Sequence, residues 1–468
     1  MEMVNIKING MSFAVPKGST ILEAARYAGI VIPTLCYLKE MNEIGACRIC
    51  VVEVKGARSL VAACVYPVNE GMEIYTNSPA VQRSRKLSLE LILSNHNKSC
   101  LTCVRSGDCE LQKLCRDYGV EEAPQFDGVK TKTTIDDSAA HMVRDNSKCI
   151  LCRRCVAACK AQDVGVIGAN NRGFDTVIGC AFNTDLNNTA CVSCGQCIVS
   201  CPVGALYEKD QTAQVWDAIN DPNKRVVVQT APSIRVALGE CFGMPIGTNV
   251  KGKMVAALRR LGFDDVFDTD VSADLTIVEE ATELVDRIKN GGTLPMITSC
   301  SPGWVKYAEY YYPDQLEHLS SCKSPQQMFG AIAKTYYAQK LGVDPKDMVV
   351  VAIMPCTAKK FEVGREDQDA AGVPDVDIAL TTRELGRMIE RAGINFTSLP
   401  DEDFDEPLGI STGAGAIFGA TGGVMEAALR TAAEWITGDS AAPVDFLDVR
   451  GTDGIKEASY KLGDLDVK

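Results

Sequence analysis

The sequence is short of everything that takes a chain to or across a membrane. No apolar stretch in its 468 residues approaches the ~20 that a spanning helix needs. Its first residues, MEMVNIKINGMSF, lack the basic start and apolar core of a signal peptide, and no twin-arginine run follows. Positive charge is also in deficit. The 48 Lys and Arg against 61 Asp and Glu leave a net charge of −13, which argues against nucleic-acid binding by bulk electrostatics. These absences predict a cytoplasmic protein with no membrane span. Histidine is scarce, with three in the chain, whereas cysteine is abundant, with 21. Disulfide-rich secreted proteins are ordinarily short, so a long chain this rich in cysteine points to a reducing compartment and to metal.

The strongest pattern lies at residues 149–201. Cys149, Cys152, Cys155 and Cys159 form one C-x2-C-x2-C-x3-C run. Cys191, Cys194, Cys197 and Cys201 form a second, closed by Pro202. This is the spacing of a two-cluster iron–sulfur module, in which the fourth cysteine of each run serves the other cluster. The expected ligand sets are therefore Cys149, Cys152, Cys155 and Cys201 for one [4Fe–4S] cube, and Cys191, Cys194, Cys197 and Cys159 for the other.

Upstream, residues 3–8 and 12–15 read as a hairpin around Asn9-Gly10, and a short helix follows from Ser19 or Thr20. Cys36, Cys47, Cys50 and Cys64 come next. Four thiolates around a central CxxC suit [2Fe–2S] or Zn. The long first gap and β-rich surroundings favour iron–sulfur in a β-grasp, ferredoxin-like domain over residues 1–78. It resembles the N-terminal domain of NADH dehydrogenase and hydrogenase subunits. Residues 79–138 open with a leucine-rich helix and then present His96, Cys100, Cys103 and Cys109. In a chain so poor in histidine, one placed just before three thiolates reads as the fourth ligand of a [4Fe–4S] cube. A neutral imidazole there makes the cluster less negative and raises its potential. Cys115 and Cys180 fall outside these patterns and read as packed thiols. The two-cluster module then occupies 139–209.

From about residue 210 the composition changes. Cysteine becomes sparse, and strand and helix patterns alternate through 226–240, 253–270, LPMITSCSPGW, MVVVAIMPC and DIALTTRELGRMIERAG. That alternation predicts an α/β domain with parallel strands. Chemistry in such sheets gathers beyond the strands' carboxyl ends. Cys300 is expected after a strand PMIT, and Cys356 after VVVAIMP. The fold class as a whole is multidomain, α+β followed by α/β.

TSCSPGW (298–304), MPCTAKKFE (354–362) and GAGAIFGATGGVMEAALR (413–430) resemble the catalytic domain of [FeFe]-hydrogenases. The accessory modules match that family in the same order, most closely in its monomeric clostridial type. The resemblance implies reversible interconversion of H2 with protons and electrons at an H-cluster. That group is a [4Fe–4S] cube joined to a di-iron unit carrying CO, cyanide and an azadithiolate. It further implies that Cys356 ligates the cubane and that Lys359 hydrogen-bonds a cyanide. Cys300 would be the proton-relay thiol, with Glu280, Ser320 and Glu283 carrying the relay to solvent. Ser233, Gln326, Met354 and Phe418 would line the di-iron pocket. By spacing alone, Glu280 and Glu283 in VEEATEL read as an exposed helix face. The electron partner implied is a ferredoxin, an NAD(P)-linked flavoprotein or a formate dehydrogenase.

The sequence departs from that family in two places. Ser301 occupies the position of a cubane-ligand cysteine, where a hydroxyl is a poor iron ligand beside thiolate. Either Cys300 then takes the ligand role, or another thiol such as Cys322 substitutes. No cysteine follows Cys356, so the family's third cysteine motif is missing from residues 210–468. The sequence stops soon after VRGTDGIKEA, and the expectation is a truncated chain. Three other readings are a non-catalytic electron-transfer subunit, an H2-sensing subunit with a degenerate site, and a structural zinc protein.

Overall fold

The computed structural model describes residues 2–126, 128–418 and 422–438, with short stretches at 447–448, 456–457, 459–462 and 465–467. Residues 419–421 of GAGAIFGATGGVMEAALR and most of VRGTDGIKEA lie outside them. The chain divides into two compact units. One contains residues 1–191 and 195–209, the other residues 192–194 and 210–468.

The first unit begins with the expected hairpin, Met3–Ile8 against Met11–Pro16. Asn9 (φ 52°) and Gly10 (φ 86°) supply the two left-handed residues that a tight hairpin turn of matching twist requires. Thr20 caps helix Ile21–Tyr27 reciprocally with Glu23, satisfying two otherwise orphaned backbone donors. The sheet is completed in the order Met11–Pro16, Met3–Ile8, Glu73–Tyr75, Val51–Val54, Val61–Ala62. Ile6, Ile8, Val15, Ile21 and Leu22 fill its core together with Cys50 and Cys64.

Helix Pro79–Ser94 sorts its leucines by helical periodicity. Leu89 and Leu93, one turn apart, are buried, while Leu87 and Leu91 face out. The buried pair joins a second core with Leu111, Leu114, Ile178, Ile198 and the thiols of Cys155, Cys159, Cys197 and Cys201. Cys115 and Cys180 are packed there as expected. A three-stranded sheet, Leu206–Glu208, Met142–Asp145 and Ile135–Asp136, backs the two cysteine runs. Hairpin Gly168–Asn170/Val177–Gly179 turns after Asn170, with Asn171 and Gly173 both at positive φ.

The second unit is built on four parallel strands in the order Asp265–Asp268, Arg225–Thr230, Met348–Ile353, Ile378–Leu380. Its central strands are nearly continuous apolar runs because helices cover both faces. Val226, Val227, Val228, Val350, Val351 and Ile353 are all buried. Helix Asp270–Asn290 follows its strand directly and packs Ala281 against Leu429, Ala432 and Ala433 of helix Gly423–Thr437. One expectation fails. PMIT (295–298) is not a strand of this sheet. Pro295 has no N–H to give a ladder, and the segment forms only an isolated parallel bridge between Ile297 and Leu319. Ile297 N donates to His318 O (2.8 Å) and Ser320 N to Ile297 O (2.7 Å). That bridge, rather than a sheet position, places Cys300 beyond it and brings Ser320 alongside. Cys356 does follow its strand, Met348–Ile353.

Candidate functional site

Cys50 and Cys64 stand with their Sγ atoms 3.4 Å apart, and Cys36 and Cys47 share a hydrogen bond. In each pair one thiol is made acidic by the other. Cys47 is lowered to about 6, chiefly through its bond with Cys36, and Cys50 to about 7 through Cys64. Cys36 and Cys64 are raised, by the same bonds and then by burial. Thiolates of this kind are what iron requires.

His96 is half-buried, and its Nδ1 has no hydrogen-bond partner among the described residues. Burial, then the Lys148 charge, holds its pKa below the ordinary value. The imidazole is therefore neutral, the form that binds metal. A Cβ added at Gly204 would meet Cys103 Sγ at 2.5 Å, so the missing side chain leaves room for that thiol. Arg154 grips Glu110 with two bonds (2.7 and 3.0 Å), fastening the helix after Cys109 to the helix carrying Cys155 and Cys159.

Cys149, Cys152, Cys155 and Cys201 line one cavity together with Ile150, Ile178 and Leu206. Three cysteines of the first run thus face the last cysteine of the second, the crossed arrangement expected from the spacing. Burial pushes Cys149 up to about 11 and Cys152 to about 12. In the other set, Cys191 Sγ lies 3.9 Å from His141 Nε2, and Cys197 Sγ lies 3.7 Å from Met142 Sδ. Cys159 is buried and Cys194 exposed. Among the described residues, no three His, Cys, Asp or Glu side chains converge as they would on a single ion. Cys149, Cys152, Cys155 and Cys201 share the lining of one cavity, and four thiols are a donor set that fits an iron–sulfur cluster.

In the second unit, helix Asp270–Asn290 turns Glu280 inward and leaves Glu279 exposed. Glu280 is 1% exposed, and its Oε2 has no partner among the described residues. Burial, then the Glu283 charge, raises it to about 7, against its hydrogen bonds with Ser320 and the Ser299 backbone. Ser320 Oγ donates to Glu283 Oε2 at 3.0 Å. Arg287 donates to Glu283 Oε1 through Nη2 (2.6 Å) and Nε (3.0 Å). Ser321 donates to the same carboxylate through its N and Oγ. Cys300 is half-buried. Burial pushes its thiol up, Lys359 draws it down, and Glu280 and Glu362 push it up again. Of the predicted relay residues, Glu280, Ser320 and Glu283 are thus joined by hydrogen bonds, and Cys300 lies near enough to Glu280 to feel its charge.

Lys359 Nζ donates to the Cys300 carbonyl (3.0 Å) and to Glu362 Oε2 (2.9 Å). Gln326 Nε2 donates to the same Glu362 oxygen (2.9 Å), while Gln326 Oε1 is buried without a partner among the described residues. Met354 is buried, Cys356 and Phe418 are half-buried, and Ser233 is exposed. Ser301 is exposed and N-caps helix Pro302–Tyr311 without a side-chain bond. Cys322 Sγ lies 3.6 Å from Glu283 Oε2, and its N–H donates to Ser320 Oγ (3.2 Å). Two charged residues escaped the sequence reading, Arg287 and Glu362. The signals were there, at i+4 from Glu283 and i+3 from Lys359, the spacings at which helical side chains meet.

Four family models match the chain. They are the iron only hydrogenase large subunit, C-terminal domain, over 224–468; a 2Fe-2S iron-sulfur cluster binding domain over 1–79; the NADH-ubiquinone oxidoreductase-G iron-sulfur binding region over 85–124; and a 4Fe-4S dicluster domain over 148–205. The NADP-reducing hydrogenase subunit HndD of Solidesulfovibrio fructosivorans is 52% identical over 479 residues, covering 100% of this chain and 82% of that protein. Iron hydrogenase 1 of Clostridium pasteurianum is 46% identical over 462 residues, covering 98% of this chain and 80% of that protein. The NADH-ubiquinone oxidoreductase 75 kDa subunit of Reclinomonas americana is 35% identical over 271 residues, 56% of this chain and 36% of that protein. The chain belongs to the iron-only hydrogenase large-subunit family.

Proposed function

We propose that this chain interconverts H2 with protons and electrons at an H-cluster held by residues 210–468, and that residues 1–78, 79–138 and 139–209 carry the iron–sulfur groups that connect it to a redox partner. Cys36, Cys47, Cys50 and Cys64 hold the [2Fe–2S] group. His96, Cys100, Cys103 and Cys109 hold one cube, and the two crossed cysteine sets hold two more. Cys356 is the cubane ligand this chain supplies most clearly, with Gln326, Met354 and Phe418 lining the pocket beside it. The H-cluster, when bound, supplies the two-electron chemistry of hydrogen.

The chain's own residues handle the proton. Cys300 keeps its thiol proton at neutral pH because burial disfavours its thiolate. Glu280 can gain or lose a proton near pH 7, where a relay group is most effective. Ser320 can accept at one side and donate at the other. Glu283 stays ionised against Arg287 and leads outward. Lys359, pinned between Glu362 and the Cys300 carbonyl, offers a fixed ammonium to an anionic ligand. The observation that carries this reading is the run of Cys300, Glu280, Ser320 and Glu283, in which a fully buried carboxyl keeps one oxygen, Oε2, without a partner among the described residues.

The likeness to HndD favours an NAD(P)-linked flavoprotein over a ferredoxin or formate dehydrogenase as the partner. The test is anaerobic maturation followed by infrared spectroscopy and an H2-evolution assay. CO and cyanide bands are expected, and Cys356→Ala should abolish turnover while the accessory iron–sulfur signals persist. Turnover surviving that substitution would overturn the assignment.

A further inference from the structure

Asn42 sits in a turn ahead of the Cys47–Cys50 loop. Its backbone exchanges two hydrogen bonds with Leu38, Asn42 N to Leu38 O at 2.8 Å and Leu38 N to Asn42 O at 3.1 Å. Glu40, between them, takes the left-handed conformation (φ 64°), uncommon for a residue other than glycine. The Asn42 side chain is 3% exposed. Its single amide nitrogen, Nδ2, donates to the Cys36 carbonyl at 2.6 Å and to the Cys152 carbonyl, 110 residues away in sequence, at 3.0 Å. One NH2 group has two hydrogens, and here each has its own acceptor. Cys36 and Cys152 belong to different proposed cluster sets. Cys47 and Cys152 also line one pocket with Ile44, Arg48 and Ile150, so the two loops are neighbours independently of Asn42.

We propose that Asn42 is a positioning residue that fastens the Cys36 loop to the Cys152 loop, fixing the separation and mutual orientation of the [2Fe–2S] group and the adjacent [4Fe–4S] group. The proposal rests on the ligand sets given above. Side chains without an NH2 group do not do the same work. Aspartate has no N–H to donate, leucine has no polar atom, and serine has only one hydrogen to give. Because Asn42 is itself held by the Leu38 turn, its amide is aimed before either cluster is present, as a preorganised support should be.

The test uses the full chain, reconstituted with iron and sulfide and reduced with dithionite so that both groups are paramagnetic. In the parent, electron spin relaxation of the [2Fe–2S] signal is expected to be fast because a second spin is held close by. Asn42→Leu and Asn42→Ala should retain iron and sulfide but relax several-fold more slowly. Their amides over residues 36–50 should exchange with deuterium about thirtyfold faster, the effect of losing two hydrogen bonds. Should the leucine variant not accumulate, the alanine variant, which admits water rather than crowding the turn, carries the same comparison. A parent without the [2Fe–2S] signal overturns the ligand reading and the proposal with it. A parent that has the signal, with variants matching it in relaxation and exchange, overturns the proposal alone.

Discussion

Glu280 and Glu283 stand one turn apart on a single helix, and their carboxyls are driven in opposite directions. Burial and then the neighbouring charge push Glu280 up to about 7. At Glu283 burial works the same way, but the bonds from Arg287, Ser320 and Ser321 outweigh it and hold the group below the ordinary carboxylate range. Two carboxyls whose surroundings separate their pKa values can exchange a proton in a defined direction. Glu280→Gln removes the titrating member and keeps its shape. Turnover should fall by about 10²–10⁴-fold, the range for lost general acid–base help. The pH–rate profile should also lose a limb centred near 7. A profile unchanged in shape would remove Glu280 from the relay.

The same carboxyl has a cost in stability, and its sign follows from the direction of the shift. Glu280 binds its proton more tightly folded than unfolded. Its contribution is therefore fully present below the ordinary carboxylate pKa and is lost as pH rises through about 7. Glu280→Gln should be indistinguishable from the parent in urea midpoint near pH 4. It should be more stable near pH 8.5, by on the order of 3 kcal/mol at most. A variant that is slower yet tougher at alkaline pH is the signature of a group kept for function.

Lys359 and Glu362 are both largely buried, with side chains 12% and 8% exposed and 2.9 Å between them. Lys359→Met takes the ammonium away from the Glu362 carboxylate, which keeps the Gln326 amide and the more distant Arg365 charge. The expected loss is about 3–5 kcal/mol, as for other buried pairs broken on one side. Adding Glu362→Gln to that variant should restore most of the stability, because no buried charge then stands alone. Turnover should stay low in both, since neither offers an ammonium at that position. Denaturant midpoints on the four-member cycle separate the two effects, and recovered turnover in the double variant would count against a functional role for Lys359.

What the sequence reveals here depends on how local the constraint is. The cysteine runs are legible because a tight loop must place its thiols at fixed spacings, and spacing is written in the chain. The turn at Asn9-Gly10 and the cap at Thr20 are legible for the same reason. Glu280 is not. Glu279, Glu280 and Glu283 look alike in VEEATEL, and only the packing of Ala281 against Leu429 and Ala432 decides which side of the helix is dry. PMIT misleads because its apolar composition suits a strand, whereas the hydrogen bonds available to it come from residues 318–320 rather than from the sheet. Asn42 gives no signal at all, since its second acceptor is 110 residues away.

Gly204 offers a test of the fit between neighbouring cluster loops. Its Cβ would sit 2.5 Å from Cys103 Sγ, with Arg105 Cγ and Lys148 Cδ at 3.7 Å. Cys103 cannot retreat without leaving the ligand position proposed for it. Gly204→Ala should therefore lose the cube proposed for His96, Cys100, Cys103 and Cys109, about four irons per chain, while the Cys149 and Cys191 sets keep theirs. Iron and sulfide analysis with low-temperature EPR would show the selective loss. Full cluster content would mean that the Cys103 thiol is free to move.

His96 allows the ligand set itself to be tested by charge. The imidazole is neutral because burial and the Lys148 charge both oppose its protonation, and its Nδ1 has no partner among the described residues. A cube held by three thiolates and one imidazole carries one less negative charge than an all-thiolate cube, so it accepts an electron more readily. His96→Cys restores the fourth thiolate. It should keep the cube and move its midpoint to lower potential, leaving the other clusters where they were. His96→Ala leaves three ligands and should lose iron from this cube. An EPR-monitored redox titration reads both outcomes, and a His96→Cys chain whose midpoints all match the parent's would show that the imidazole does not touch the cluster.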